Sequence, residues 1–325
     1  MTPQFLVRRM GHALLVVFIV SLIAFSLGEA IGDPITSMLG IEATAADRAA
    51  LIARLGLDQP FHVRYMDFMG RFLSGEMGMS YRAQRPVYDV IVERLPATFE
   101  LAFAGLFLSL ALGVPLGVVA AIWRDKWWAN LLMTTSVVGV SLPTFVVGIL
   151  LIFFFSVHMG WLPSFGRGET VNVGGWNTGL LTRTGLLALI MPALSLAISQ
   201  MALVGRLVRA EMVEVLRADY IRFARARGIR SAPVNFVHAL RNTLIPIITI
   251  SGIQIGYLVA FAVVVEQVFQ WPGIGTLFLG SLTQADVPVI TSILIFVAFF
   301  FAMINLIVDV LYAVADPRVR LGEKG

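Results

Sequence analysis

Residues 101–122 read LAFAGLFLSLALGVPLGVVAAI, 22 consecutive positions without a charged side chain. A hydrocarbon core of about 30 Å is crossed by about 20 mostly apolar residues in a helix. The run is therefore long enough to span a bilayer, and too continuous for a buried helix of a globular fold. Five more stretches follow the same pattern: Met10–Leu27, Leu131–Val157, Thr184–Gly205, Thr243–Val265 and Val287–Val308. The whole chain agrees. Only 14% of its 325 residues are charged and 58% are apolar, with mean hydropathy +0.85, whereas a soluble domain carries roughly 25% charge. The expected fold is all-α, a polytopic membrane protein with six transmembrane helices. Arg8 and Arg9 before the first run, and Gly28-Glu29-Ala30 after it, loosely resemble a signal peptide, but signal h-regions are shorter, about 7–15 residues.

Lys and Arg placement orients the spans. With the N-terminus inside, 15 positive residues fall on the cytoplasmic side and nine outside, and seven of those nine sit in the long 28–96 segment, where the rule is weak. An N-in, C-in arrangement follows. The net charge of +4 thus reports topology and is not read as nucleic-acid affinity. Four regions are expected: residues 1–30 with the first span; an extracytoplasmic helical segment, 31–96; a core of spans two to six, 97–313, with a cytoplasmic loop at 206–241; and a cytoplasmic tail, 314–325.

Within 31–96, Thr44 and Asp47 form a capping-box pattern opening a helix to about Leu55, with Gly56 as its stop. A second, amphipathic helix is predicted over Phe61–Leu73, with Val63, Met66, Met69 and Phe72 on one face. A short third is predicted over Val87–Arg94, ending before Pro96. These helices are read as a cap packed on the spans in preference to a docking surface. Within the spans, Pro115, Pro143, Pro192 and Pro246 can kink their helices, and Gly113 with Gly117 would admit a second helix closely. Gln200, Gln254 and Asn305 lie inside spans, and Glu100 and Asp309 lie near span ends. So few ionisable groups at depth argue against an ion-coupled secondary transporter or channel.

Other chemistry is missing. Cysteine is absent, which removes disulfides and thiolate metal sites. His12, His62, His158 and His238 show no ligand spacing. The two lysines, Lys126 and Lys324, fit no P-loop, because that motif needs Gly-Lys-Ser/Thr to reach the phosphates. No catalytic residue, cofactor or metal site is nominated, so an intramembrane enzyme is unsupported.

The loop at 206–241 holds eight of the 24 Lys and Arg residues. Lipid anchoring explains the arginines. It does not explain the helical pattern. Met212, Val215, Leu216, Tyr220 and Phe223 fall on one face of a predicted helix, with Glu214–Arg217 and Asp219–Arg222 as supporting pairs. Gly228 would end that helix. Ser231 would cap a short second one with Pro233 in its first turn, and the chain would return to the membrane near Asn242. Val234, Phe236 and Val237 would project from this short helix for a soluble partner to grip.

The run Tyr220-Ile221-Arg222-Phe223-Ala224-Arg225-Ala226-Arg227-Gly228, followed by His238-Ala239-Leu240-Arg241-Asn242 and Pro246, resembles the EAA loop of bacterial ABC-importer permeases of the dipeptide/oligopeptide/nickel branch. Leu55-Gly56-Leu57-Asp58-Gln59-Pro60, Glu93-Arg94-Leu95-Pro96-Ala97-Thr98, Trp271-Pro272-Gly273-Ile274-Gly275 and Asp316-Pro317-Arg318 are similar to that branch in the same order. The superfamily's Glu-Ala-Ala is here Arg222-Phe223-Ala224, so a role for its glutamate does not carry over. The resemblance implies a type I ABC importer permease in the bacterial inner membrane. A homologous second permease subunit would complete the path. Two cytoplasmic ATPases would dock on the coupling helices, and an extracytoplasmic solute-binding protein would deliver substrate. The coupling helix here would be about Ser231–Ala239, and the coupling residues Ala224, Arg225, Ala226, Arg227, Gly228, Ser231, Val234, Phe236, Val237, His238 and Arg241. The branch carries peptides, nickel, glutathione or oligosaccharides.

Overall fold

The computed structural model describes residues 3–31, 44–56 and 58–315. Residues 32–43, Leu57 and residues 316–325, which include the Asp316-Pro317-Arg318 motif, lie outside the described residues. Twelve α-helices and one small hairpin are placed among the described residues. The chain divides into two compact units, Met1–Pro96 with Pro272–Leu306, and Ala97–Trp271 with Ile307–Gly325.

In the first unit, α1 (Pro3–Ile31) is the first apolar span. Helix α2 (Ala45–Leu55) opens with the expected capping box: the Asp47 amide donates to Thr44 Oγ1 (3.2 Å) and the Thr44 amide to Asp47 Oδ2 (3.3 Å). It stops at Gly56, whose φ of +64° is left-handed. Helix α3 (Phe61–Leu73) has the bounds predicted for it, but its packed face differs. Tyr65 is buried and Met66 is 70% exposed. The Tyr65 and Phe68 rings pack on Phe25 of α1, and Tyr65 Oη shares a 2.7 Å hydrogen bond with Ser21 Oγ. Aromatic contacts of this kind outweigh a methionine's fit to the periodicity. Beyond it, the buried Asp286 carboxylate accepts from Ser80 Oγ (2.5 Å) and from the Tyr81 amide (3.1 Å). Burial, reinforced by the Asp286 charge, pushes the Tyr81 phenol up to about 12. Helix α11 (Ile274–Thr283) and the start of α12 (Val287–Ala315) complete this unit around Val87, Ile91, Ile274, Val289 and Ile293.

The short helix expected to end before Pro96 does not end there. Residues Val87–Ile122 form one 36-residue helix, α4. A proline inside a helix removes a hydrogen bond and costs about 3 kcal/mol. Val87 and Ile91 before it, and Ala97 and Leu101 after it, are fully or almost fully buried, and that burial outweighs the local preference.

The expected third span is divided. Helix α5 (Trp127–Ser141) stops at Leu142, whose ψ of 127° is extended, as is favoured before proline. Pro143 then leads into α6 (Thr144–Leu151), which continues through a π-helical segment, Ile152–His158. A two-stranded antiparallel hairpin follows, β1 (Val171–Val173) and β2 (Trp176–Thr178). Helix α7 (Arg183–Arg217) is 35 residues long, starts at a Thr182 cap and runs through Pro192. Among the described residues, four helices are long and apolar enough to cross a membrane: α1, α4, α7 and α12. The fifth expected span lies within a 29-residue helix, α10 (Leu240–Val268).

Helix α7 organises the second unit. Its Ala188, Leu189, Met191 and Leu196 pack with Leu101, Leu258, Val265 and Phe269. Further along it crosses α4 backbone to backbone. A side chain at Gly117 would begin 2.5 Å from the Gly205 carbonyl oxygen, and one at Gly113 would begin 2.9 Å from that of Met201. The small-residue pair read from the sequence is thus a close helix crossing.

Candidate functional site

Helix α7 does not run on to Gly228. It ends at Ala218, whose ψ of 149° is extended, and α8 (Asp219–Ala226) starts afresh with Asp219 in its first turn. That break resets the helical phase. Met212 is buried as expected, but Tyr220 and Phe223 are 47% and 64% exposed, and Ile221 is the buried residue of α8. The exposed Asp219–Arg222 pair forms at 3.4 Å. Arg227 lies over the Phe223 ring at 5.7 Å.

Gly228 ends α8 as predicted. Its φ is +78°; its amide donates to the Arg225 carbonyl (2.9 Å), and the Ile229 amide donates to that of Ala224 (3.2 Å). This pair of bonds is a Schellman closure, which requires a left-handed residue at the glycine position. Ser231 does not act as a cap. Arg230 occupies the boundary position and Ser231 is the first residue of a short α9 (Ser231–Pro233). A π-helical segment, Val234–Ala239, then joins α9 to α10. Residues 231–268 are consequently helical without interruption, and no loop separates the short helix from the next apolar one.

The π-helical segment sorts the predicted residues. Its wide turn brings Val234 and Ala239, five apart, to one buried side. There they pack with Val208, Met212, Ile221 and Ile247, and with Val118 and Ala121 of α4. Of the four residues between, Phe236, Val237 and His238 are exposed, Phe236 at 55% and Val237 at 57%, and Asn235 is half-buried. Arg225, Ala226, Arg227, Gly228, Ser231 and Arg241 are also exposed, and Ala224 is half-buried. Ten of the eleven nominated residues therefore reach the surface to some degree. Val234 does not: it is an anchor. The sequence reading missed the anchors Ile221 and Ala239, and Ile229 as an outward apolar residue (37% exposed). No local pattern in the sequence marks them, because Ile221 is turned inward by the break at Ala218 and Ala239 by the π-helical turn. Asn242 Nδ2 donates to Tyr220 Oη (2.7 Å), fastening α10 to α8, and Thr243 Oγ1 donates to the Ala239 carbonyl one turn back along its own helix (3.0 Å).

The second unit also buries polar groups that the sequence reading did not pair. Arg167 Nη2 meets Glu100 Oε2 at 2.7 Å, with both side chains under 10% exposed. Thr98 Oγ1 donates to Glu266 Oε1 at 2.6 Å, and Trp271 Nε1 to the Ala97 carbonyl at 2.8 Å, tying the end of α10 to α4. Glu266 is fully buried. Among the described residues no three His, Asp or Glu groups converge as metal ligands would.

Residues 113–321 match the family model for the binding-protein-dependent transport system inner membrane component, and residues 2–102 match the model for the N-terminal part of such membrane components. The chain is 38% identical to the di/tripeptide transport system permease protein of Pseudomonas aeruginosa (strain UCBPP-PA14), over 98% of each. It is 37% identical to the glutathione transport system permease protein of Escherichia coli (strain K12), over 98% of this chain and 99% of that one. In fold it is similar to a chain of the MetNI methionine ABC transporter in an inward-facing conformation, with a TM-score of 0.55 and 16% identity, covering 68% of this chain and 93% of that one. The chain belongs to the binding-protein-dependent transport system inner membrane components: it is an inner-membrane permease subunit of an ABC importer, not itself an enzyme, and it works with a partner ATPase and a substrate-binding protein.

Proposed function

We propose that residues 219–241 are the element on which a cytoplasmic ATPase subunit docks, and that Phe236, Val237 and His238 form its gripped face. One observation carries this reading. The outward triad sits on the same turn as the buried anchors Val234 and Ala239, so a push on the exposed side is delivered to a close-packed core, which moves as a body. The unbroken helix from Ser231 into α10 supplies a lever from the docking face toward the membrane. Arg225, Arg227 and Arg241, with Ala224, Ala226, Gly228 and Ser231, surround that face.

The same reading places six spans in the membrane, with α5 and the α6 helix together making the third and α10 the fifth, and both termini in the cytoplasm. It takes 97–313 as the permease core, 31–96 as an outer segment carried after the first span, and 314–325 as a tail. A homologous second permease subunit completes the path, and two ATPases dock, one on each permease. The transported solute is a short peptide or a peptide-like small molecule, the class that the names of the two relatives share.

Reconstituted complexes test the docking role. Phe236→Asp and Gly228→Val should leave the chain inserted but abolish ATPase co-purification or uncouple hydrolysis from uptake. Wild-type transport and ATPase stimulation in both variants would refute the assignment. The chain reconstituted alone should not accumulate solute, and uptake by it alone would overturn the subunit reading.

A further inference from the structure

Helix α3 has three distinct sides. Phe61, Tyr65, Phe68 and Phe72 recur at helical spacing. Phe25 of α1 meets the Phe61, Tyr65 and Phe68 rings at centroid distances of 5.4, 5.6 and 5.3 Å. A quarter turn to one side of this packed face lie Met66, Met69 and Leu73, with His62 at the start of the same flank. A quarter turn to the other side lie Arg64, Asp67 and Arg71. Met66 is 70% and Leu73 79% exposed, and Asp67 and Arg71 are exposed as well. One flank is thus apolar and the other charged.

The level of the packed face is set by α1, whose apolar stretch closes at Gly28. At a rise of about 1.5 Å per residue, Ser21 lies about 10 Å and Phe18 about 15 Å before that end. Tyr65 reaches both. Its Oη shares the 2.7 Å hydrogen bond with Ser21 Oγ, and its ring meets that of Phe18 edge-on at 6.2 Å. Helix α3 therefore does not stand clear of the membrane above α1; it sits where the span leaves the hydrocarbon. At the same level α1 leaves Ile23 and Leu27 exposed, so both helices present apolar side chains there.

Water is a poor solvent for such a flank. A helix with one apolar and one charged side lies in the membrane interface, its apolar side sunk about 5–10 Å toward the acyl chains. The charged side then meets headgroups and water, which suits Asp67 and Arg71. We propose that α3 is an interfacial helix, lying in the leaflet nearer the C-terminal end of α1, with Met66, Met69 and Leu73 covered by lipid acyl chains. The segment that follows the first span is then seated in the membrane surface and is not wholly aqueous. This placement requires only that α1 crosses the bilayer, and it makes no use of the docking role.

Because the chain contains no cysteine, one introduced thiol carries one nitroxide spin label. Met66→Cys, Leu73→Cys and Asp67→Cys are compared in the full chain, in nanodiscs of phosphatidylethanolamine and phosphatidylglycerol. Leu14→Cys, at a span position 68% exposed, is the hydrocarbon reference, and Asp219→Cys, at a side chain 96% exposed, is the water reference. Relaxation by molecular oxygen, which concentrates in hydrocarbon, is divided by relaxation by a water-soluble nickel chelate. The ratio at Met66 and at Leu73 should lie near the Leu14 value and several-fold above that at Asp67, which should lie nearer the Asp219 value. Leu73→Cys repeats the measurement if Met66→Cys fails to insert. A low ratio on the apolar flank would place it in water, and weak relaxation by both reagents would mean that a protein surface covers it; either result overturns the proposal. Neither ATPase nor solute is needed, so failure here leaves the docking experiment of the preceding section untouched.

Discussion

Gly117 and Gly228 are glycines for opposite reasons, and they represent the two regions of the second unit. At Gly117 the backbone is ordinary but there is no room: a Cβ would meet the Gly205 carbonyl and the Val208 side chain. At Gly228 there is open space, with nothing within 4 Å of where a Cβ would sit, but φ is +78°. The same contrast holds for the ion pairs. Glu100–Arg167 is buried, whereas Asp219–Arg222 is 96% and 70% exposed at its side chains. One region is held by close packing and paired burial. The other keeps its shape through backbone geometry and a few anchors, and leaves most of its side chains exposed.

Substitutions can break this contrast. The largest effect is expected from Arg167→Met, which strands a buried carboxylate and should cost about 3–5 kcal/mol; Arg222→Met, at the exposed pair, should leave the melting temperature of the detergent-solubilised chain unchanged. Equal melting shifts in the two would erase the distinction. Next comes Gly117→Val, which forces α4 and α7 apart and should cost about 1–3 kcal/mol or more. Gly228→Ala meets only backbone strain, about 1–2 kcal/mol. A reversed order in thermal unfolding would mean that the crossing is looser than it looks.

A smaller effect concerns Tyr81 in the first unit. Its phenol is held neutral, with its pKa raised from 10.0 to about 12. A raised folded-state value means that stability is fully present below pH about 10 and is lost as pH climbs through about 12. Tyr81→Phe should flatten the stability–pH curve in that window, read by thermal unfolding; an unchanged slope would show that the phenol does not contribute. The smallest structural effect belongs to Phe236→Asp, on the exposed side of its turn. Unfolding should be unaltered while ATPase co-purification is lost, and a destabilised chain would instead place Phe236 among the anchors.

Signals that act within a few residues were legible. The long apolar runs, the Thr44–Asp47 box, the bounds of α3 and the Gly228 stop all depend on local backbone preference or solvent transfer, which a sequence states directly. The helix, glycine turn and second helix around Gly228 were legible in outline for the same reason. Their faces were misread after Ala218, because a single extended residue resets the periodicity on which the assignment of Tyr220 and Phe223 depended. Val234 was read as outward because an α-helical turn was assumed; the π-helical turn moved it inside.

By itself the sequence determined that the chain is membrane-embedded and helical, where its longest apolar segments lie, and that it has no P-loop, since these follow from composition, local pattern and the residues present. Tertiary structure decided that Pro96 continues a helix while Pro143 interrupts one, and which of Gly228's neighbours face out. It also decided that Glu100 finds Arg167, 67 positions away. Those outcomes depend on burial and on partners distant along the chain, and the energies involved exceed the local preferences that a sequence displays.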